Sequence, residues 1–347
     1  MKSHRLFWPG LVLVALLALN LVFHHDFLAI RVVDGHLYGN LILILIYGAP
    51  TILLGLGMTL VIATGGIDLS VGAVIAIAGA IACSNISQLK DQNSVSGGAI
   101  AITIALVAGI GLGIWNGALV SWLGIQPIVA TLILMVAGRG VAQLITDGQI
   151  ITLSSSTYAV LGAGYWLTIP ASIPIVLFVV VGASVLVRRT ALGLLIESVG
   201  GNAKASRLVG INARGLIIMV YAFCGLTAAI AGILGSSNIS AADGNNAGLW
   251  SELDAILAVV IGGTSLTGGR FSIGGTVLGA LIIQTLSTTI ISIGVPTQTT
   301  LVFKAIVVII VSLLQSPVFR AKVFGWRKAP PAPIVTAVPA PEMEVSS

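Results

Sequence analysis

The sequence predicts an all-α, polytopic membrane protein with about ten transmembrane helices, both termini on the cytoplasmic side and an internal duplication. Three observations lead there. Hydrophobic residues make up 57% of the 347 and charged residues only 8%. Mean hydropathy is +1.10. A soluble domain carries about a quarter charged residues, so the solvent for most of this chain is lipid. The apolar residues gather into runs long enough to cross a bilayer core of about 30 Å. Finally, the Lys and Arg residues are segregated. With the N-terminus inside, twelve of the sixteen fall in inner loops and tails and only Arg31 and Lys90 in outer loops, with Arg139 and Lys304 inside spans. That asymmetry sets both termini inside and an even number of spans.

The spans follow in order. Leu6–Phe23 lies behind Lys2 and Arg5 and lacks a small-x-small cleavage site, so it is read as an uncleaved first span. Next come 41–63, 71–86, 99–119, 127–146 and 169–187, then 215–237, 254–268, 272–293 and 299–315. The 42 glycines allow helices to approach closely through small-residue faces. Cys83 and Cys224 lie inside apolar stretches without Cys or His neighbours and read as small buried hydrophobes. The tail 329–347, rich in Pro and Ala, reads as disordered. Residues 1–328 therefore form one membrane domain, with no room for a nucleotide-binding or extracellular binding domain of its own.

One basic interruption stands out. The loop 188–214 carries Arg188, Arg189, Lys204, Arg207 and Arg214 around Gly200-Gly201-Asn202-Ala203-Lys204-Ala205-Ser206-Arg207. A short basic helix between two spans reads as a cytoplasmic handle that a soluble partner grips. A second signal is an echo. Gly65-Gly66-Ile67-Asp68-Leu69-Ser70-Val71-Gly72 and Gly262-Gly263-Thr264-Ser265-Leu266-Thr267-Gly268-Gly269 share Gly-Gly-x-x-Leu-[Ser/Thr]-x-Gly, each between two apolar runs. Paired glycine breaks are the trace of a duplicated transporter fold.

The polar residues near these breaks are the candidates for chemistry. Asp68 or Ser70 either caps the span beginning near Val71 or lines a polar path, as Thr264 and Ser265 would in the second break. Arg139 sits in a span and must face protein or water; it either snorkels as a structural residue or meets substrate. The polar stretch 238–254, with Asn245, Asn246, Trp250 and Glu252, is either a docking surface for an outer protein or a solvated loop with an interfacial Trp. Lys304 needs a carboxylate or carbonyl partner that the sequence does not name.

Enzyme chemistry has little footing. Every Lys is preceded by a residue other than Gly, so there is no Gly-x-x-x-x-Gly-Lys-[Ser/Thr] phosphate loop. All four histidines, His4, His24, His25 and His36, lie near the N-terminus, which leaves the body without a His base or metal ligand. No Gly-x-Ser-x-Gly elbow occurs. The expectation is transport, with no catalytic residue, no metal site, no cofactor and no nucleic-acid partner. An ion-coupled carrier needs a carboxylate near mid-membrane, and the acids cluster at span ends. A pump driven by a separate ATPase needs a cytoplasmic docking element, and the handle supplies one.

Three strings carry a family resemblance. They are Gly-Met-Thr-Leu-Val-Ile-Ala-Thr-Gly-Gly-Ile-Asp-Leu-Ser-Val-Gly (57–72), Gly200-Gly201-Asn202 with Gly210-Ile211-Asn212, and Ala-Val-Val-Ile-Gly-Gly-Thr-Ser-Leu-Thr-Gly-Gly-Arg (258–270). Together they resemble the permease subunits of bacterial sugar-importing ABC transporters, in the ribose and branched-chain amino acid permease family. Residues 130–146 and 245–258 are most similar to its galactofuranose-importing members. The resemblance implies a multi-pass subunit of the bacterial inner membrane that translocates a monosaccharide, galactofuranose first and ribose as the alternative. It implies a second permease subunit, an ATPase subunit that hydrolyses the ATP, and a periplasmic sugar-binding protein. It also implies a coupling helix over Glu197–Asn212, with Glu197, Gly200, Gly201, Asn202, Lys204 and Arg207 at the ATPase. The family pattern usually continues with small residues after Gly-Gly-Asn; Lys204 and Ser206 depart from it, which bears on which ATPase fits.

Overall fold

The computed structural model describes residues 4–23, 25–294, 302–306, 309 and 313. The tail 329–347, most of the expected span 299–315, and Lys2, Arg320, Lys322, Arg327 and Lys328 lie outside the described residues. Among the described residues, seven helices are long and apolar enough to cross a membrane: α1 (His4–Phe23), α2 (Asn40–Ala63), α4 (Val95–Ser121), α5 (Pro127–Ile145), α7 (Ser172–Arg189), α10 (Ala213–Ile239) and α12 (Ile273–Ser292). Between them stand α3 (Val71–Ser87), α6 (Ser156–Gly162), α8 (Leu192–Gly201), α9 (Ala203–Leu208) and α11 (Ser251–Ile261).

Helices α2, α10 and α12 are mostly buried, whereas α1, α4, α5 and α7 present apolar side chains outward. Leu132, Ile133 and Val136 on α5 and Leu177, Phe178 and Val181 on α7 are exposed, as a lipid-facing surface requires. Small residues set the closest packing. On α4 the buried positions Ala101, Ala105, Gly109, Gly113, Gly117 and Ser121 recur every fourth residue and face α10. A Cβ on Gly113 would enter the Tyr221 carbonyl, and one on Gly117 would stand 2.7 Å from the Ile218 Cα. Bilayer proteins gain helix association from such close backbone approach, because apolar burial alone gives no advantage over lipid.

Two of the expected spans, 71–86 and 254–268, form helices shorter than the seven above, α3 and α11. The expected span 254–268 is an 11-residue helix, α11. At 1.5 Å per residue it covers about 16 Å, roughly half a bilayer core. The reason is local: Gly262 and Gly263 end it, and the segment before it is polar and non-helical. The start of α11 lies beside the start of α3, since a Cβ on Gly72 would enter the Gly248 carbonyl and stand 2.5 Å from a Glu252 oxygen. The N-termini of two short helices thus meet inside the bundle, the discontinuous-helix arrangement common in transporters.

The handle also differs from expectation. In place of one coupling helix over Glu197–Asn212 there are two short ones, α8 and α9, broken at Asn202 (φ −160°, ψ 98°). Asn202 turns the chain and caps α9, its Oδ1 accepting the Ala205 N–H at 2.9 Å. Asn212 caps α10 in the same way, accepting from Gly215.

At the opposite end of the bundle are three small ribbons. β1 (Arg31–Val33) pairs with β2 (His36–Tyr38) through an Asp34-Gly35 turn in which both residues have positive φ. β4 (Tyr165–Trp166) pairs with β5 (Ile169–Pro170), which is why α7 begins at Ser172 and not at the expected Ile169. β3 (Ile150–Thr152) pairs antiparallel with β6 (Ala241–Asp243), Ile150 opposite Asp243. That last ribbon fixes where the polar segment after α10 begins.

Candidate functional site

The two glycine breaks meet. α2 ends in a Schellman motif, with Gly65 at φ 85° donating to Ile62 and Gly66 donating to Val61. α11 ends the same way, with Gly263 at φ 82° donating to Val260 and Thr264 donating to Val259. The matching backbone is displaced by one residue from the sequence echo. The next turn is matched too: Ser70 N–H donates to Asp68 Oδ1 at 2.9 Å, and Thr267 N–H to Ser265 Oγ at 3.3 Å. The Gly269 N–H then donates to the Ala63 carbonyl at 2.9 Å, stitching one break to the other.

Gly200, near the end of α8, is wedged into this crossing. A Cβ there would overlap the Ala63 carbonyl and stand 2.7 Å from the Gly269 nitrogen. A Cβ on Gly268 would stand 2.9 Å from the Gly200 oxygen and 3.1 Å from the Gly65 nitrogen. Three backbone segments, two from the breaks and one from the handle, are therefore packed without intervening side chains. At the neighbouring Gly201 a Cβ would meet nothing within 4 Å. Around it Asn202, Lys204 and Arg207 are exposed and Glu197 is half-buried.

Beyond the crossing, the first break runs inward. Asp68 is 1% exposed, and its Oδ1 accepts both the Ser70 N–H and the Ser70 Oγ–H, the latter at 2.6 Å. Asn116 Nδ2 on α4 donates to Ser70 Oγ at 2.8 Å. Thr131 Oγ1 on α5 accepts the Leu69 N–H at 3.1 Å. Asp68 also lies beside Cys224 of α10, and a Cβ on Gly66 would stand 2.6 Å from the Tyr221 hydroxyl. Tyr221 and Cys224 are in the middle of α10, so Asp68 is central in the bundle and not at a span end, as hydropathy suggested. Neither Asp68 nor Ser70 caps α3 in the usual sense: Ser70 makes no side-chain capping bond. Asp68 accepts the N–H of Ser70, ahead of the helix. Among the described residues, Tyr221 Oη and Asn116 Oδ1 are buried without a partner.

The second break has no carboxylate. Thr264 is buried, its Oγ1 accepting the Ser272 N–H at 3.3 Å, while Ser265 is exposed and bonded to Thr267 Oγ1 at 2.7 Å.

At the opposite end, Arg139 donates to the Ala247 carbonyl and carries its charge near Glu252 and Asp243. It straps α5 to the segment between β6 and α11. Asp243 orders that segment: its Oδ2 accepts the Asn246 amide at 2.7 Å and its Oδ1 the N–H groups of Asn245 and Asn246. The Asn246 amide, then these N–H groups and the Arg139 charge, hold the Asp243 carboxyl below the usual carboxylate range. Asn245, Asn246 and Trp250 are exposed, and Glu252 is half-buried against Gly72.

The partner of Lys304 is Asp254, in the first turn of α11, with Nζ at 2.8 and 3.0 Å from the two carboxylate oxygens. The side chains are 16% and 23% exposed. Lys304→Met leaves the carboxylate without its cation in a largely desolvated place, and the expected cost is about 2 kcal/mol. Thermal unfolding of the detergent-purified protein reads it; combining Lys304→Met with Asp254→Leu is expected to recover most of the loss.

Sequence reasoning missed three things. Leu208 and Val209, at the end of α9, are 89% and 77% exposed; an apolar pair inside a basic loop was the available signal. Asn116 and Tyr221 looked like ordinary span residues. Asp243 was one acid among several, and only the β3–β6 pairing sets it apart.

Comparison with known proteins completes the picture. Residues 40–312 match the family described as the permease component of the branched-chain amino acid transport system. The chain is 50% identical to the galactofuranose transporter permease protein of Escherichia coli, over 94% of this chain and 95% of that protein. It is 42% identical to the fructose import permease protein of Bifidobacterium longum, over 91% and 88%. Identity to the ribose import permease protein of Escherichia coli is 37%, over 80% and 85%. No solved structure matches the chain. With a family match over most of its length and its apolar spans, this chain is a multi-pass membrane protein that belongs to the family of the branched-chain amino acid transport system permease component.

Proposed function

We propose that this chain is the membrane-spanning permease subunit of an ATP-driven importer for a monosaccharide, with galactofuranose the first substrate to test. It would work in the bacterial inner membrane with both termini cytoplasmic. Its partners would be an ATPase subunit, a second permease subunit and a periplasmic sugar-binding protein. The relatives named for galactofuranose, fructose and ribose import support the substrate class.

The observation that carries the mechanism is the crossing of Gly200 with both glycine breaks. A partner gripping α9 would hold Lys204 and Arg207 by charge and the Leu208–Val209 knob by apolar contact. Displacement of the knob would pass back along α9 and through the turn at Asn202 to Gly200, at the end of α8. There it meets backbone with no side chain to absorb it, so the two breaks would shift together. The first break reaches Asp68 and Ser70 in the middle of the bundle, and the second ends the half-length helix α11. One push from the cytoplasm could thus reorganise irregular backbone in both halves. Asn245, Asn246 and Trp250 would meet the binding protein on the other side.

Vesicles holding this chain and its partners test the reading, energised either by ATP or by an ion gradient alone. Uptake of labelled galactofuranose, fructose or ribose is expected only with ATP and binding protein. Uptake on the gradient alone would overturn the reading. Leu208→Asp puts a charge into the contact proposed for the ATPase and is expected to cut ATP-driven uptake at least about tenfold, with unchanged protein in the membrane. Unchanged uptake would remove the knob from the coupling surface.

A further inference from the structure

A cavity of about 380 Å³ opens on the side of the bundle away from the handle. Sites for small molecules start at about 300 Å³, so a monosaccharide is within its reach. Its walls come from α2 (Pro50), α3 (Ile75, Ala76, Gly79), the last turns of α10 and the segment that leads into α11. Most of this wall is small: glycines and alanines that leave room and offer only C–H surface. Its polar side chains are Ser236 on α10 and, close together in the chain ahead of and at the start of α11, Asp243, Asn246 and Ser251. Asp243 and Asn246 are held to each other and to the backbone by the hydrogen bonds that fold their turn. The pair is preorganised, anchored through β6 on β3 and through Arg139 on α5.

The position within the bundle adds a second argument. Gly248 and Ser251 in the wall flank the point where α11 and α3 start side by side. Irregular backbone that enters a membrane bundle is tolerated where it lines a cavity, and such half-helix junctions are where transporters hold their cargo.

We propose that this cavity is a low-affinity monosaccharide site in the permease itself, with Asp243 accepting sugar hydroxyls and Asn246 and Ser251 completing the polar side. The inference rests on the reading of the chain as a sugar permease. A carboxylate and an amide are the groups that bind vicinal hydroxyls, while the aliphatic wall covers the C–H face of the ring. Among the described residues no aromatic side chain lines the cavity, so they offer no stacking platform that would make binding tight. A site that must release its cargo inward benefits from that weakness.

Cysteine protection tests it without relying on turnover. Both native cysteines are fully buried, so background labelling is low. Ser251→Cys in the complete importer, reconstituted in vesicles, is treated with a membrane-impermeant maleimide with and without free galactofuranose, fructose or ribose. The expected result is protection by at least one of these sugars, labelling slowing about tenfold at ten times its half-protecting concentration, as mass action requires. Adding Asp243→Asn, which keeps a turn-forming oxygen but removes the charge, should raise the half-protecting concentration about tenfold. Sugar-independent labelling, in vesicles whose wild-type importer takes that sugar up, would overturn the site and leave the sugar-importer reading standing. Equal protection by glycine betaine, which has no hydroxyl, would overturn it as well. A wild-type importer that takes up none of the three sugars would remove the importer reading and this site with it.

Discussion

Gly200→Val is expected to unseat the handle from the membrane domain. The added Cβ would overlap the Ala63 carbonyl and press on the Gly269 nitrogen at 2.7 Å. Both neighbours are backbone, and the Gly269 N–H is already committed to the same Ala63 carbonyl. No rotamer change relieves the clash, so α8 must move or the bond between the two breaks must open. Overpacking of a well-filled site costs about 1–3 kcal/mol, and an overlap with immovable backbone lies at or above the top of that range. We therefore expect a loss of about 3 kcal/mol or more in detergent unfolding, and uptake reduced to background. Gly201→Val is the matched control, because nothing lies within 4 Å of a Cβ there. Its stability should stay within about 0.5 kcal/mol of the parent, as for other open surface positions. If the two variants unfold alike, the crossing is not a tight backbone contact, and the proposed path from handle to breaks loses its basis.

Much of the architecture was legible, and the reasons differ by element. Helices α2, α4, α5 and α10 declare themselves because lipid demands continuous apolar runs, and the glycine breaks mark where those runs stop. Asn202 and Asn212 could have been recognised as caps, since Asn favours the N-cap and each stands directly before a helix. What hydropathy does not encode is depth along a path. Asp68 follows the last turn of α2, so a linear reading leaves it at a span end; the chain instead turns back and carries it to Tyr221 and Cys224 in the middle of α10. The echo likewise announced that two breaks resemble one another. Their meeting around Gly200 depends on tertiary packing between segments about two hundred residues apart, which a pattern of residue types does not specify. The partner of Lys304 was hidden for the same reason, fifty residues away at Asp254.

Asp68→Leu and Asp68→Asn separate two roles that burial alone leaves combined. The carboxylate accepts two hydrogen bonds from Ser70, and the Ser70 hydroxyl in turn accepts from Asn116. Leucine has the same branched skeleton, with bulkier methyls in place of the two oxygens, but accepts nothing. It would strand the Ser70 N–H in a place where Asp68 itself is 1% exposed, at a cost of about 1–3 kcal/mol for each buried polar group left without a partner. The break then has reason to reorganise, and uptake should fall more than about tenfold while the protein still reaches the membrane. Asparagine keeps an oxygen at the Oδ1 position and can hold the same turn. If Asp68 acts by holding backbone, Asp68→Asn should retain uptake within about fivefold, because a neutral hydrogen bond is worth about 1 kcal/mol less than one to a charged group. Equal and complete loss in both variants, with normal membrane levels, would mean that the ionisable carboxyl itself is needed in the cycle. Asn116→Ala is the arbiter. It removes the donor to Ser70 Oγ and leaves the carboxyl itself in place, so a holding role predicts that it weakens uptake in the same direction as Asp68→Leu, whereas a role for the carboxyl alone predicts a much smaller loss than Asp68→Leu.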